Sequence, residues 1–305
     1  MRAIVLGEQG GSPTLTELPT PEPGPGEVLV QVRASSVNGA DVSIAAGYWA
    51  DMMEHRFPVV LGRDFAGTVA AVGDGVTRFA AGDPVFGVVA KAFLGDGGFG
   101  EYVVVSDQFG ITARPEGVDE ATAGALGLAG AAAVDALDAV APQAGETVLI
   151  SGATGGVGAI AVQYAAAAGA KVIATARPGA ATDFVRDLGA TGVVDHTGDL
   201  AAQVRAISPD GVDVVLHLAG DVEVVAGLLS DKGRLASTLL GPDQHPAAIA
   251  IRATPTVAAL DRLAADVAAG RITVPVSRTY ALAEVPAALA DFAAGSVGKL
   301  AVTVA

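Results

Sequence analysis

The 305-residue sequence contains no cysteine, which excludes disulfides, a thiolate nucleophile and any cysteine-ligated metal. Aromatic residues are scarce at 5%, although hydrophobic residues make up 51%, so the core must be built largely from Ala, Val, Leu and Ile in close packing. Cations are also few. Eighteen Lys and Arg stand against 33 Asp and Glu, and the resulting net charge of −15 argues against nucleic-acid or anionic-membrane partners, both of which need clustered positive charge. No apolar run is long enough to span a bilayer, because the Ala-rich stretches are broken by Asp135, Asp138 or Gly169. The opening MRAIVLGEQGG lacks the apolar region of a secretory signal, so a cytoplasmic location is the expectation. The four histidines, His55, His196, His217 and His245, form no close ligand motif, and no metal is expected.

The most informative stretch is TVLISGATGGVG at Thr147 to Gly158, a β-branched strand running into glycines and then into the apolar AIAVQYAAAAGA. A dinucleotide pyrophosphate needs this order. Ala153, Gly155 and Gly158 stand where the fingerprint has its small residues, for the tight turn, close approach to phosphate, and close helix–strand packing. With Thr154, Gly156 and Val157 they open a helix whose free N–H groups and dipole favour phosphate. A second β-rich run, KVIAT at Lys171 to Thr175, completes a βαβ unit.

From Arg2 to about Gly110 the chain shows short β-branched runs punctuated by Gly and Pro, namely AIVL, EVLVQVRA, GTVAAV, DPVFGVV and EYVVV, which read as an all-β, barrel-like unit. Past Pro115 the texture becomes Ala-rich and helical. Strands expected at Thr147 to Ile150, Lys171 to Thr175, Gly192 to Asp195, Val212 to Leu218 and Arg234 to Leu239 then alternate with helices, predicting a doubly wound parallel sheet. A helix over Thr254 to Gly270, a strand ITVPV, a helix over about Leu282 to Ala294 and a strand KLAVTV return to the first unit. The expected division is therefore 1–118 with 254–305, enclosing 119–253.

Several separated motifs resemble the medium-chain dehydrogenase/reductase superfamily, in its zinc-independent, quinone oxidoreductase-like branch. They are VNGADVSIAAGYW from Val37, PVVLGRDFAGTVAAVGDGVTRFAAGDPVFG from Pro58, GGFGEYVVV from Gly97, SGATGGVG from Ser151 and GKLAVTV from Gly298. The resemblance implies an α/β protein with a GroES-like β-barrel catalytic domain, interrupted by a Rossmann domain, and an active site in the cleft between them. Asn38 falls where the zinc-dependent branch has its first cysteine ligand and Arg63 where it has its histidine, so the resemblance implies metal-free hydride transfer to a quinone or an α,β-unsaturated carbonyl.

At the end of the second strand the chain reads Thr175, Ala176, Arg177, with no carboxylate before Asp183. Nothing there repels a 2′-phosphate and Arg177 offers a cation for it, so NADPH is the expected cofactor. By resemblance His196 lies near that phosphate. Leu218, Ala219, Gly220, Thr238 and Leu239 follow strands whose C-terminal ends face the ligand. The resemblance also places Asn38, Asp41, Tyr48 and Trp49 along the cleft with Arg63. The Asn38 amide is read as a donor to a substrate carbonyl or as a turn-former, Tyr48 as a proton donor or pocket lining, and Asp41 as bonding backbone or pairing with a cation such as Arg63. Lys299 in the GK motif is read either as approaching the cofactor or as an exposed strand-end lysine. A homodimer is implied, pairing an edge strand in LASTLLG or AIAIRA. A catalytically silent NADPH-binding redox regulator and a zinc-free alcohol or aldehyde oxidoreductase remain open.

Overall fold

A computed structural model describes residues 1–241 and 244–304. The chain forms two compact units, Ala129–Thr254 and a discontinuous one made of Met1–Leu128 with the segment from Pro255 onward.

The continuous unit is built on six parallel strands in the order Gly192–Val194, Lys171–Thr175, Thr147–Ser151, Val212–His217, Leu229–Ser237, Ala248–Ala250. Numbered along the chain this is 3-2-1-4-5-6, with the reversal of direction beside Thr147–Ser151, the point at which doubly wound sheets bind their ligands. The central strands carry Val148, Leu149, Ile150, Val172, Ile173, Val214, Val215 and Leu216, all buried, as expected of strands covered on both faces. Helix Gly156–Ala167 buries Ile160 and Val162. The strand Leu229–Ser237 has a neighbour on each side, so the strand part of LASTLLG, Leu235 to Ser237, is interior, and of the two expected edge segments only AIAIRA supplies one, at Ala248–Ala250.

The discontinuous unit is organised around the strand Glu27–Ser36. One of its edges pairs with Asp64–Val72 along its length, while the other pairs first with Tyr102–Ser106 and then with Lys299–Thr303. Further strands at Pro84–Val88, Ile111–Ala113 and Val276–Ala281 extend this to seven. Inward residues, including Val28, Val30, Val32, Phe65, Val103, Val105, Leu300 and Val302, form one apolar core. The expected strand ITVPV is absent: the strand begins at Val276, immediately after Pro275, which has no N–H for a ladder and whose carbonyl instead accepts from the Lys299 N–H at 2.7 Å. The unit runs past 118 to Leu128 because helix Glu120–Gly124 lies directly on the central strand, so close that a Cβ on Gly124 would be 2.9 Å from the Ala34 carbonyl carbon. Among the described residues no helix is long and apolar enough to cross a membrane.

Candidate functional site

In the discontinuous unit, four charged side chains converge in the interior: Asp41, Arg63, Asp64 and Lys299. Asp64 is the hub. Its Oδ2 accepts from Ser36 Oγ at 2.6 Å, Asn38 Nδ2 at 2.8 Å and Lys299 Nζ at 3.5 Å, and its Oδ1 accepts from the Leu128 N–H at 2.7 Å. Four donors around one side chain are the pattern of a carboxylate. Lys299 spends its three ammonium hydrogens on Asn38 Oδ1 at 2.6 Å, the Val37 carbonyl at 3.1 Å and Asp64. It is 3% exposed, so the structure corrects the reading of an exposed strand-end lysine, and all three ammonium hydrogens are bonded within the protein. Burial lowers its pKa, and Asp64 and Asp41 oppose that shift.

Asn38 precedes helix Gly39–Ala45 in an extended conformation. Its amide donates to Asp64 and to the Ser36 carbonyl at 3.3 Å and accepts from Lys299. Both amide hydrogens are thus committed to the protein, so the geometry does not leave Asn38 a donor for a substrate carbonyl. Asp41 caps the same helix, its Oδ2 accepting from the Asn38 N–H at 2.8 Å. Its Oδ1 is buried with no partner at all. Burial chiefly, with Asp64 adding to it, raises its pKa to about 7, against the Asn38 N–H, Arg63 and Lys299, which act the other way. Of the two expected bonds of Asp41, the one to backbone is made and the ion pair with Arg63 is not. Arg63 is 8% exposed, and among the described residues no acceptor engages its guanidinium. Burial lowers its pKa, opposed by Asp41 and Asp64.

Tyr48 and Trp49 stand apart from this cluster, in the turn after helix Gly39–Ala45. Tyr48 is 77% exposed and Trp49 packs partly buried against the apolar core.

In the continuous unit, the glycine segment after Thr147–Ser151 turns sharply. The positive φ of 75° belongs to Gly152, not to Ala153, which is buried; the tight-turn role therefore falls one residue earlier than the fingerprint alignment placed it. A Cβ on Gly155 would have only the Gly152 carbonyl oxygen nearby, at 3.5 Å, leaving room for an approaching group, whereas on Gly158 it would lie 2.2 Å from that oxygen. The first hydrogen bond of the helix is from the Ala159 N–H to the Gly155 carbonyl, so the N–H groups of Gly156, Val157 and Gly158 have no protein acceptor among the described residues. Thr175 is buried, and its Oγ accepts from the Gly152 N–H at 2.9 Å, so it braces the turn. Arg177 and His196 are exposed beyond the ends of adjacent strands, and both act electrostatically on Asp195, whose pKa is lowered chiefly by the Thr197 N–H and hydroxyl. Leu218, Ala219 and Gly220 flank the glycine turn; the Leu218 N–H donates to the Ser151 carbonyl at 3.2 Å. Thr238 donates its N–H to the His217 carbonyl at 3.2 Å and Leu239 its own to Ser237 Oγ at 3.1 Å. His217 spans these loops, linking Ser237 Oγ at 2.9 Å and the Gly220 carbonyl at 3.0 Å.

Sequence reading missed Asp64, Ser36 and Asp195. GRD gave a signal for Asp64, whereas Asp195 is adjacent to Arg177 only because their strands pair.

Residues 24–115 match the profile of the alcohol dehydrogenase GroES-like domain and residues 156–290 that of the zinc-binding dehydrogenases. The chain is 34% identical over 257 residues to the chloroplast envelope quinone oxidoreductase homolog of Arabidopsis thaliana, covering 80% of this chain and 76% of that one. It belongs to the medium-chain dehydrogenase/reductase superfamily. Its fold is that of the superfamily, a GroES-like domain with a Rossmann domain, and it is an oxidoreductase of this nicotinamide dinucleotide-binding family. The quinone oxidoreductase of Coxiella burnetii superimposes with a TM-score of 0.89 at 28% identity, covering 100% of this chain and 99% of that one. A structure described as an NAD-dependent alcohol dehydrogenase gives 0.89 at 27% identity, with each chain covered 100%. Members of the superfamily hold a dinucleotide and, in one branch, zinc. The dinucleotide fits the three unclaimed N–H groups and the open space at Gly155. Zinc does not fit: Asn38 and Arg63 offer an amide and a cation, and among the described residues no group of three or more His, Cys, Asp or Glu could hold an ion.

Proposed function

We propose that this dehydrogenase/reductase is an NADPH-dependent, zinc-independent reductase of quinones or α,β-unsaturated carbonyls. The observation that carries the reading is that Asn38 and Arg63, an amide and a cation, stand with Asp41, Asp64 and Lys299 and that no group of three or more His, Cys, Asp or Glu among the described residues could hold the Lewis acid that metal-dependent alcohol chemistry needs. Its likeness to quinone oxidoreductases supports the same acceptor class. The dinucleotide would be held at its pyrophosphate by Gly156, Val157 and Gly158, and Arg177 with His196 would receive the 2′-phosphate; bound there, it supplies a hydride. Absorbance at 340 nm, with NADPH or NADH and parallel quinone, enone and aldehyde acceptors, tests this. Turnover of aldehydes alone, or of no acceptor, refutes it.

We also propose a homodimer paired through the edge strand Ala248–Ala250, where Ile249 is 45% exposed. Ile249→Lys then shifts the sedimenting species from dimer to monomer, and a wild-type monomer at micromolar concentration disproves the pairing.

A further inference from the structure

Two groups in the discontinuous unit lack hydrogen-bond partners, and each acts on the other. Asp41 Oδ1 is fully buried and has no donor, and the guanidinium of Arg63, a residue only 8% exposed, has no acceptor among the described residues. Each acts electrostatically on the other, yet no ion pair joins them. An unmet guanidinium is expensive. A guanidinium drawn almost wholly out of water with no protein acceptor is costly, and structural arginines avoid this by pairing. Asp64, the other carboxylate at hand, is already committed to Ser36, Asn38, Lys299 and Leu128. The guanidinium is therefore held ready for an acceptor from outside the protein, and its slight exposure suits contact with a single atom rather than a large anion.

We infer that Arg63 is the oxyanion-receiving residue of this oxidoreductase, donating to the carbonyl oxygen of a quinone or enone as hydride addition turns it into a quinolate or enolate oxygen. This rests on the reductase reading above. In an enone, hydride forms the new C–H bond at the β-carbon, the C=C pair moves between the α-carbon and the carbonyl carbon, and the carbonyl pair goes to oxygen; a proton from water then reaches the α-carbon and the dinucleotide is left oxidised. In a quinone the two electrons reside on the ring oxygens and protons complete the quinol. Negative charge grows on an oxygen in both, and a fixed planar cation stabilises it most where water is excluded. Because burial raises Asp41 to about 7, part of the population carries it uncharged near neutrality; with Asp64 paired to Lys299, Arg63 is then the uncompensated charge of the cluster.

The test uses dinucleotide-free protein and two probes of similar shape, the 2-hydroxy-1,4-naphthoquinone anion, which carries a stabilised enolate, and neutral 2-methyl-1,4-naphthoquinone, with calorimetry as the readout. Wild type should bind the anion more tightly. Arg63→Met should weaken the anion about tenfold or more and the neutral quinone far less, the loss of a charge-assisted hydrogen bond. Arg63→Lys should fall between them, and it carries the test if the Met variant does not fold. Equal affinity of wild type for both probes, or an unchanged preference in the Lys variant, overturns the inference even if wild type reduces quinones. Failure of wild type to oxidise NADPH or NADH with any acceptor, despite anion binding lost in the variants, instead removes the reductase reading.

Discussion

Asp41→Asn isolates one buried carboxyl. The side chain keeps the carbonyl that accepts the Asn38 N–H, so the helix cap survives while the ionisable group is removed. Folding raises the Asp41 pKa from 3.8 to about 7, through burial first and Asp64 second, with the Asn38 N–H, Arg63 and Lys299 opposing. Between those two values the folded state binds more protons than the unfolded chain, so wild-type stability falls as pH rises through this window, and the loss is complete above the folded value. At about 1.4 kcal/mol per unit, the full effect is on the order of 4 kcal/mol, of which about 2 kcal/mol is lost between pH 5.5 and pH 8. The stability advantage of Asp41→Asn over wild type should widen by that amount over the same interval. Trp49 is the sole tryptophan and lies in the turn after the helix that carries Asp41, so its fluorescence during urea unfolding reports on this unit. A difference between variant and wild type that stays flat from pH 5.5 to pH 8 would refute the reasoning, because it would mean that Asp41 is already ionised in the folded protein at the lower pH.

Lys299→Met leaves Asp64 and Asn38 Oδ1 without their buried cation and should cost about 3–5 kcal/mol, seen as a lower urea midpoint; a change within about 1 kcal/mol contradicts the network. Gly158→Ala and Gly155→Ala should separate folding from binding. The first forces a Cβ to 2.2 Å from the Gly152 oxygen and should depress Tm, while the second meets nothing closer than 3.5 Å and should leave Tm unchanged yet weaken dinucleotide binding about tenfold by calorimetry. Arg177→Ala should raise KM for NADPH much more than for NADH, and equal effects on both would exclude a 2′-phosphate role.

The Rossmann unit was legible because its signals are local. Strand, glycine turn and helix follow one another within Thr147 to Ala167, and each β-branched run supplies one buried strand. What the sequence hid required spatial neighbours. The alignment gave the sharp turn to Ala153, but only backbone geometry assigns the positive φ to Gly152. Pro275 lacks the N–H a ladder member donates, so the β-branched residues before it in ITVPV form no strand and the ladder begins only at Val276. LASTLLG was apolar enough for an edge, yet Ala248–Ala250 covers it. For the charged cluster no local pattern exists, since Asn38 and Asp41, Arg63 and Asp64, and Lys299 come from three distant segments. A lysine in a GK motif gives no sign that it will be buried between an amide and a carboxylate, because that depends on which strands pair.

The central strand Glu27–Ser36 is completed on one edge by residues that follow the Rossmann segment in sequence, with Val302 opposite Ser35 and Thr303 opposite Ala34. During synthesis on the ribosome, the whole intervening Rossmann segment is therefore made before this ladder can form. Until Lys299 emerges, the partly made chain already holds Asp64 and Asn38 but has no ammonium to set between them. Assembly of the charged core is thus tied to a residue translated only after the whole Rossmann segment.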